Sequence, residues 1–164
     1  MSNHPVGKLF CLLVFCFALL AGCSTAPRMV DHSFKFDTVD DSPGFHVLDY
    51  RYGTSGTTGT SMPDWVKRTK GYSQSTSTHG GMPLGETLYV KWISLETGRV
   101  WEETVSLKGR LPQEMTGRIL YFVVGEATLH VYVVERQLRS ADEPSIGPQK
   151  YNSYKVTAIY SVKK

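Results

Sequence analysis

Cysteine is scarce in this sequence, and most of it lies in one short segment. Of the three cysteines, Cys11 and Cys16 fall within the apolar run at residues 9–20, and Cys23 follows just behind it. If that N-terminal segment is removed on maturation, a single thiol remains in the chain. An intramolecular disulfide is then excluded, and the stability of the folded part must come from packing.

A hydrophobic run long enough to span a membrane is also missing. Residues 9–20 (LFCLLVFCFALL) form a run of twelve residues without a charge, and Lys8 precedes it. A helix of that length rises only about 18 Å, whereas a bilayer core is about 30 Å thick. A short apolar run with a basic flank and small residues behind it predicts a signal peptide at residues 1–22.

The residues that close this segment carry a more specific signal. Leu20-Ala21-Gly22-Cys23 resembles the bacterial lipobox, in which the cysteine is alkylated with diacylglycerol and the chain is cut just before it. We therefore expect Cys23 to be lipidated and to anchor the chain to a membrane, since two or more acyl chains give stable attachment. Ser24, in place of the aspartate that retains lipoproteins in the inner membrane, predicts the periplasmic face of the outer membrane.

The mature chain has little charge imbalance and few chemical groups in catalytic spacing. Without Lys8, 17 basic residues face 15 acidic ones, which excludes an electrostatic footprint for nucleic acid. The mature histidines stand at positions 32, 46, 79 and 130, with no metal-ligand spacing. The glycines at 53, 56 and 59 lack the lysine of a phosphate loop, and no G-x-S-x-G elbow is present. We expect no enzyme activity, no cofactor and no small-molecule substrate.

Alternation of apolar and polar residues predicts strands through the rest of the chain. The clearest are two hairpins, residues 87–94 with 100–107 and residues 118–124 with 128–135, and a final strand at 154–162. Trp92 and Trp101 are predicted core residues. The fold prediction is all-β (or β-rich α+β): an antiparallel β-sandwich or partly closed barrel of about six strands. One or two short helical turns are expected, at 63–70 and 110–117. Residues 23–33 are predicted to be the lipidated cysteine and its tether, and residues 34–164 a single periplasmic domain.

Two polar segments interrupt the strands. Residues 53–61 (GTSGTTGTS) and 71–85 (GYSQSTSTHGGMPLG) are poor in apolar side chains and are predicted to be mobile surface loops. Between them lie residues 62–70 (MPDWVKRTK), with one large aromatic and three basic residues. The tryptophan of this segment, Trp65, is interpreted either as a burial anchor for its loop or as a binding hot spot. The predicted partner-binding residues in and around these loops are Tyr50, Tyr52, Trp65, Lys67, Arg68, Lys70, Tyr72 and His79.

Residues 88–135 carry a family resemblance. The arm V-K-W-I-S-L at 90–95, the link ending in R-L-P at 110–112 and the strand pair between Ile119 and Tyr132 resemble a group of small proteobacterial lipoproteins. That resemblance implies an immunity protein that binds and neutralises a type VI secretion phospholipase effector. It assigns no contact residue. The alternative is a non-catalytic structural or assembly lipoprotein of the envelope or of a secretion system.

Overall fold

The strands of this chain form two packed sheets, as their alternating pattern predicts. The computed structural model describes residues 28–54, 57–69 and 71–163. Within them lie eight strands and two short helices, so the predicted sandwich-like all-β fold is confirmed with more strands than the six expected. The strands are β1 Met29–Asp37, β2 Phe45–Tyr52, β3 Ser75–Pro83, β4 Thr87–Ser94, β5 Val100–Ser106, β6 Ile119–Gly125, β7 Thr128–Leu138 and β8 Tyr154–Lys163. The helices are α1 Thr38–Asp41 and α2 Asp64–Arg68, and a 3₁₀ helix spans Gln149–Tyr151.

The strand order departs from a simple antiparallel meander. The larger sheet has the order β3-β1-β6-β7-β8, and the smaller sheet has the order β2-β4-β5. Neighbouring strands are antiparallel except β1 and β6, which pair in parallel from Ser33 opposite Ile119 to Phe36 opposite Phe122. The expectation of a purely antiparallel sandwich is therefore wrong at this one pair. Both predicted hairpins, β4–β5 and β6–β7, are confirmed.

The sandwich has two ends, which we name by the position of Arg28. The proximal end contains Arg28, the start of β1 and β4, and the ends of β2, β3 and β5. The distal end contains the β4–β5 turn, the β6–β7 turn and the start of β2. Because β4 has eight residues, the two ends are about 24 Å apart along the strands.

Aromatic rings from both sheets fill the core. The Phe34 ring stacks on Tyr52 with centroids 5.1 Å apart, and Phe36 stacks on Phe122 at 4.7 Å. Trp92 and Trp101 are buried as predicted. The Trp92 Nε1 donates to the Gly125 carbonyl at 2.9 Å, which satisfies its polar atom and joins the sheets at the distal end.

A bulge in β2 decides which of its side chains are buried. Pairing with β4 passes from Val47 opposite Trp92 to Asp49 opposite Lys91, so Leu48 is an extra residue. Strict alternation along β2 would place His46 and Leu48 on the buried face, but Val47 is fully buried and both of those are partly exposed. After the bulge Tyr50 and Tyr52 face the core at 2% and 1% exposure. The prediction that these tyrosines contact a partner is therefore wrong.

Two polar segments are more ordered than their composition predicts. Strand β3 occupies nine residues of the predicted loop 71–85 and pairs with β1 along its whole length. Strand β1 itself begins at Met29, so residues 29–33 belong to the sheet and not to the tether, and the domain begins before residue 34. In the predicted loop 53–61, Thr60 is fully buried.

The helical predictions are half right. Helix α2 confirms the turn predicted at 63–70, whereas 110–117 contains hydrogen-bonded turns and no helix. Helix α1 was not predicted. The predicted signal peptide, Cys23 and Lys70 lie outside the described residues. Among the described helices, none has the length and apolar character needed to cross a bilayer.

The outer face of the larger sheet is covered by the segment between β7 and β8. Tyr151 packs edge-on against Tyr121, with ring centroids 5.0 Å apart. The Tyr121 hydroxyl donates to Asp41 Oδ2 at 2.6 Å. Lys150 donates to the carboxylates of Asp37 and Asp40. Strand β6 is thus covered on both faces, which explains its nearly continuous apolar sequence.

Candidate partner-binding surface

Helix α2 presents most of its side chains to solvent because it has a single anchor. Val66 is 8% exposed and packs into the core, while Trp65 is 64% exposed. The Thr69 hydroxyl donates to the Trp65 and Val66 carbonyls, and the Gly71 N–H donates to the Val66 carbonyl, which ends the helix. In a five-residue helix held at one position, Trp65 is not the burial anchor that the alternative interpretation required.

An ion pair fixes α2 against the smaller sheet. The Lys67 Nζ lies 3.0 Å from Asp49 Oδ1 on β2. Asp49 is opposite Lys91, and the Lys91 Nζ lies 3.6 Å from Glu102 Oε2 on β5. Charges of alternating sign therefore cross the outer face of this sheet in one row. Burial, and then the hydrogen bond that the Tyr89 hydroxyl donates to Glu102, raise the pKa of Tyr89 to about 12.

A band of apolar and aromatic side chains crosses the same sheet at the distal end. The Tyr72 ring lies 5.2 Å from the His46 ring, and Tyr72 is 51% exposed. His46 is opposite Ile93 on β4, and Ile93 is opposite Val100, which is 44% exposed. We call Tyr72, His46, Ile93 and Val100 the distal band. Of these four residues only Tyr72 was predicted from the sequence; the β4–β5 register could have identified Ile93 and Val100 as neighbours.

The His46 ring, which contacts Tyr72, also makes a polar contact with Gln74. The Gln74 side-chain amide donates to His46 Nε2 at 3.1 Å. The remaining ring nitrogen, Nδ1, is buried and has no hydrogen-bond partner among the described residues. The backbone of the neighbouring Ser73 pairs with Val47, which ties the segment after α2 to the edge of β2. Strand β2 therefore positions both α2 and Tyr72.

The predicted surface residues are only partly brought together. Trp65, Lys67, Arg68 and Tyr72 are exposed and flank the β2 edge, whereas Tyr50 and Tyr52 are in the core. His79 is exposed, but it lies on β3 in the other sheet, where its Nδ1 lies 3.0 Å from the Ser33 hydroxyl. It is therefore not continuous with α2 through any described contact.

His79 nevertheless belongs to a serine–histidine–aspartate group. Its Nε2 lies 3.9 Å from Asp31 Oδ1, and Ser33 and Asp31 are both on β1. A nucleophilic serine must reach a substrate, but Ser33 is 2% exposed. The oxyanion of acyl transfer needs free N–H donors beside the serine, and the Ser33 N–H already donates to the Arg118 carbonyl. The geometry fits a structural hydrogen bond between strands and not nucleophilic catalysis.

Tyr52 is buried because its hydroxyl has a partner in the core. The hydroxyl lies 3.0 Å from Nε2 of His32, whose Nδ1 donates to the Val30 carbonyl at 2.9 Å. Burial lowers the pKa of His32 and raises that of Tyr52 to about 12. A β-carbon on Gly85 would come within 2.5 Å of the Tyr52 ring, so only glycine fits there. This neutral pair is part of the packing and not of a surface.

Comparisons with known proteins add no family. No protein-family model, no curated protein and no solved structure matches the chain. Among the described residues, no group of three or more histidine, cysteine, aspartate or glutamate side chains could hold a metal ion. The exposed tryptophan, the tyrosine and the basic residues beside β2 are the chemistry that this surface offers, and such groups suit the recognition of another protein.

Proposed function

We propose that this chain is a lipid-anchored immunity protein of the periplasm, which binds and neutralises a phospholipase effector delivered by type VI secretion. Cys23 would attach it to the periplasmic face of the outer membrane. The neutraliser and its target would then occupy the same thin compartment, which raises their effective concentration. The producing cell and its kin would be protected by binding alone, without catalysis.

The observation that carries the proposal is the exposure of Trp65 beside Lys67 and Arg68. Tryptophan and arginine are the side chains that contribute most to protein interfaces. An exposed fraction of 64% for a tryptophan leaves a large apolar area in water. Arg68 on the same short helix adds positive charge, whereas Lys67 is paired with Asp49, so the matching surface of the effector should be apolar with an acidic group at its border. The resemblance of residues 88–135 to effector-associated lipoproteins supports the same partner class.

Protection and binding should be measured in parallel. Cells that produce a type VI secretion phospholipase effector in their periplasm are grown with the intact protein, with Cys23→Ala, or with neither, and the purified pair is tested by calorimetry. We expect rescue by the intact protein. The Cys23→Ala protein should bind the lipase equally well in solution and protect less in cells. An absence of both rescue and binding would favour the envelope-assembly alternative, which would be pursued by isolating envelope partners.

A matched pair of variants tests the surface itself. Trp65→Ala should weaken effector binding by about thirtyfold or more, the effect of a hot-spot residue. Leu138→Ala is the control, since Leu138 is also 64% exposed but lies at the end of β7 in the other sheet. If Trp65→Ala and Leu138→Ala bind the effector with equal affinity, Trp65 is not part of the interface.

A further inference from the structure

A groove opens at the proximal end, away from α2 and the distal band. It has a volume of about 920 Å³ and lies between residues 83–87 and residues 107–113. A cavity of this size falls in the range of small-molecule sites. Its position is fixed by the sheet, because the Leu84 N–H donates to the Arg28 carbonyl and the Leu107 N–H to the Glu86 carbonyl.

The groove combines apolar walls with a charged rim. Pro83, Leu84, Leu111 and Pro112 line it, and its charged lining residues are Arg28, Lys108 and Glu86. Met29, next to Arg28, is 60% exposed and adds an apolar side chain at the same end.

The rim cations are held only weakly by protein carboxylates. The Arg28 Nη2 is 3.9 Å from Glu114, and the Lys108 Nζ is 3.8 Å from Glu86. All four side chains are at least 60% exposed, so these pairs are screened and easily exchanged for a phosphate.

The path of the chain places this end near a membrane. Arg28 borders the groove, and Cys23 precedes it by only five residues. Five residues reach at most about 18 Å when fully extended. A lipid on Cys23 would therefore keep the mouth of the groove close to the bilayer surface.

We propose that the proximal end faces the membrane and that the groove binds an anionic glycerophospholipid. Its phosphate lies between Arg28 and Lys108, and part of an acyl chain contacts Leu84 and Leu111. This inference rests on the lipid attachment at Cys23 that belongs to the proposed function. Seated in this way, the domain turns the distal band about 24 Å further from the bilayer, toward proteins in the periplasm.

The binding of vesicles by a protein that has no lipid of its own tests the site. The mature chain with Cys23→Ala is mixed with vesicles of phosphatidylethanolamine and phosphatidylglycerol, or of phosphatidylcholine alone, and bound protein is measured by flotation. We expect binding to the first and little to the second. Adding Lys108→Glu should weaken binding by about tenfold, since one basic residue near an anionic surface is worth about a factor of five and its reversal more.

Two further variants separate the groove from general charge attraction. Arg99→Glu makes the same charge change at the distal turn and should leave vesicle binding unchanged. Thr54→Trp fills the groove from an exposed lining position without changing charge, and should weaken binding as Lys108→Glu does, with an unchanged circular dichroism spectrum.

The outcomes separate this inference from the proposed function. Equal binding to both kinds of vesicle, no binding, or full binding by Thr54→Trp would each overturn the lipid site. Effector affinity is measured on the same Cys23→Ala proteins in solution. Retained effector binding with failed vesicle binding would reject the groove alone, and the reverse result would reject the immunity proposal alone.

Discussion

His32 is a core residue whose charge state affects stability. It is fully buried, it donates from Nδ1 to Val30, and its Nε2 contacts the Tyr52 hydroxyl. In this arrangement the ring is neutral, and a second proton would leave a charge in an apolar core. Burial lowers its pKa below the usual 6.5, although the bond to Val30 and the charge of Asp31 act in the opposite direction.

The stability of the protein should therefore fall on mild acidification. Below pH 6.5 the unfolded state binds a proton at this histidine that the folded state does not, so the free energy of unfolding decreases as the pH falls toward the folded pKa of His32. Above pH 6.5 this contribution is fully present. The free energy of unfolding, measured with urea at several pH values, should depend less on pH in His32→Gln than in the natural protein. Burial also lowers the pKa of His130, which is present in both proteins and serves as an internal control. The same pH dependence of stability in both proteins would contradict its assignment to His32.

Ala127 is the second residue with an unusual environment. The turn between β6 and β7 has its positive φ, 54°, at Ala127. An L-residue in this conformation is strained by about 1 kcal/mol.

Ala127→Gly should accordingly stabilise the protein by a few tenths to about 1 kcal/mol, since the lost methyl contact offsets part of the relief. Ala158→Gly, in the extended strand β8, should destabilise it by about 0.5–1 kcal/mol. Thermal unfolding of the two variants should thus shift in opposite directions. A loss of stability in both would show that packing of the Ala127 methyl outweighs its backbone strain.

Among the elements, β2 and β3 have features that the pattern of apolar and polar residues could not predict. The hairpins β4–β5 and β6–β7 follow from alternation and turn residues because both depend on neighbours in sequence. The bulge at Leu48 could not be predicted, since only the register with β4 reveals it. Strand β3 has Met82 as its single buried apolar residue, and its order comes from backbone hydrogen bonds to β1, which leave no trace in composition. The α2 surface was half predicted: Trp65, Lys67, Arg68 and Tyr72 are exposed, but the distal band depends on pairing between strands.

The segment between β7 and β8 has a charged anchor, Lys150, beside the contact of Tyr151 with Tyr121. Lys150 donates to Asp37 and Asp40, and its backbone N–H donates to Asp41. The hydrogen bonds that Lys150 donates to Asp37 and Asp40 raise the pKa of Lys150 above its usual value. Burial disfavours the charge of Asp37, but the bonds from Lys150 and from two backbone N–H groups lower its pKa overall.

Lys150→Met should loosen this segment without unfolding the sandwich. We expect a loss of about 1 kcal/mol, because the lysine is partly exposed and solvent screens the pairs. Hydrogen exchange of residues 139–153 should accelerate, and exchange of β4 and β5 should not. Lys155→Met, which removes a longer pair with Glu143 at 3.9 Å, is the control expected to have little effect. Uniform acceleration would mean that the segment is part of the cooperative core.

At the scale of the whole molecule, the sandwich separates two surfaces. The groove and the start of the described chain lie at one end, and the distal band lies at the other, with α2 beside the edge strand β2. The fold class follows from composition and from the spacing of apolar residues. The placement of the two surfaces at opposite ends does not, because it depends on where β1 enters the sheet. A chain anchored through its N-terminus has its orientation set by that entry point.

The parallel pairing of β1 with β6 also determines the order in which the sheet can form. Roughly eighty-five residues separate the two strands along the chain, as in the register of Ser33 with Ile119. Loop closure over that distance costs entropy before any contact repays it, and proteins dominated by such distant pairs fold in milliseconds to seconds. Strand β1, which is synthesised before the other described strands, is therefore among the last to gain both neighbours. Until residues 119–125 are available, β1 has one open edge, and the strands before β6 stay without a complete core during synthesis.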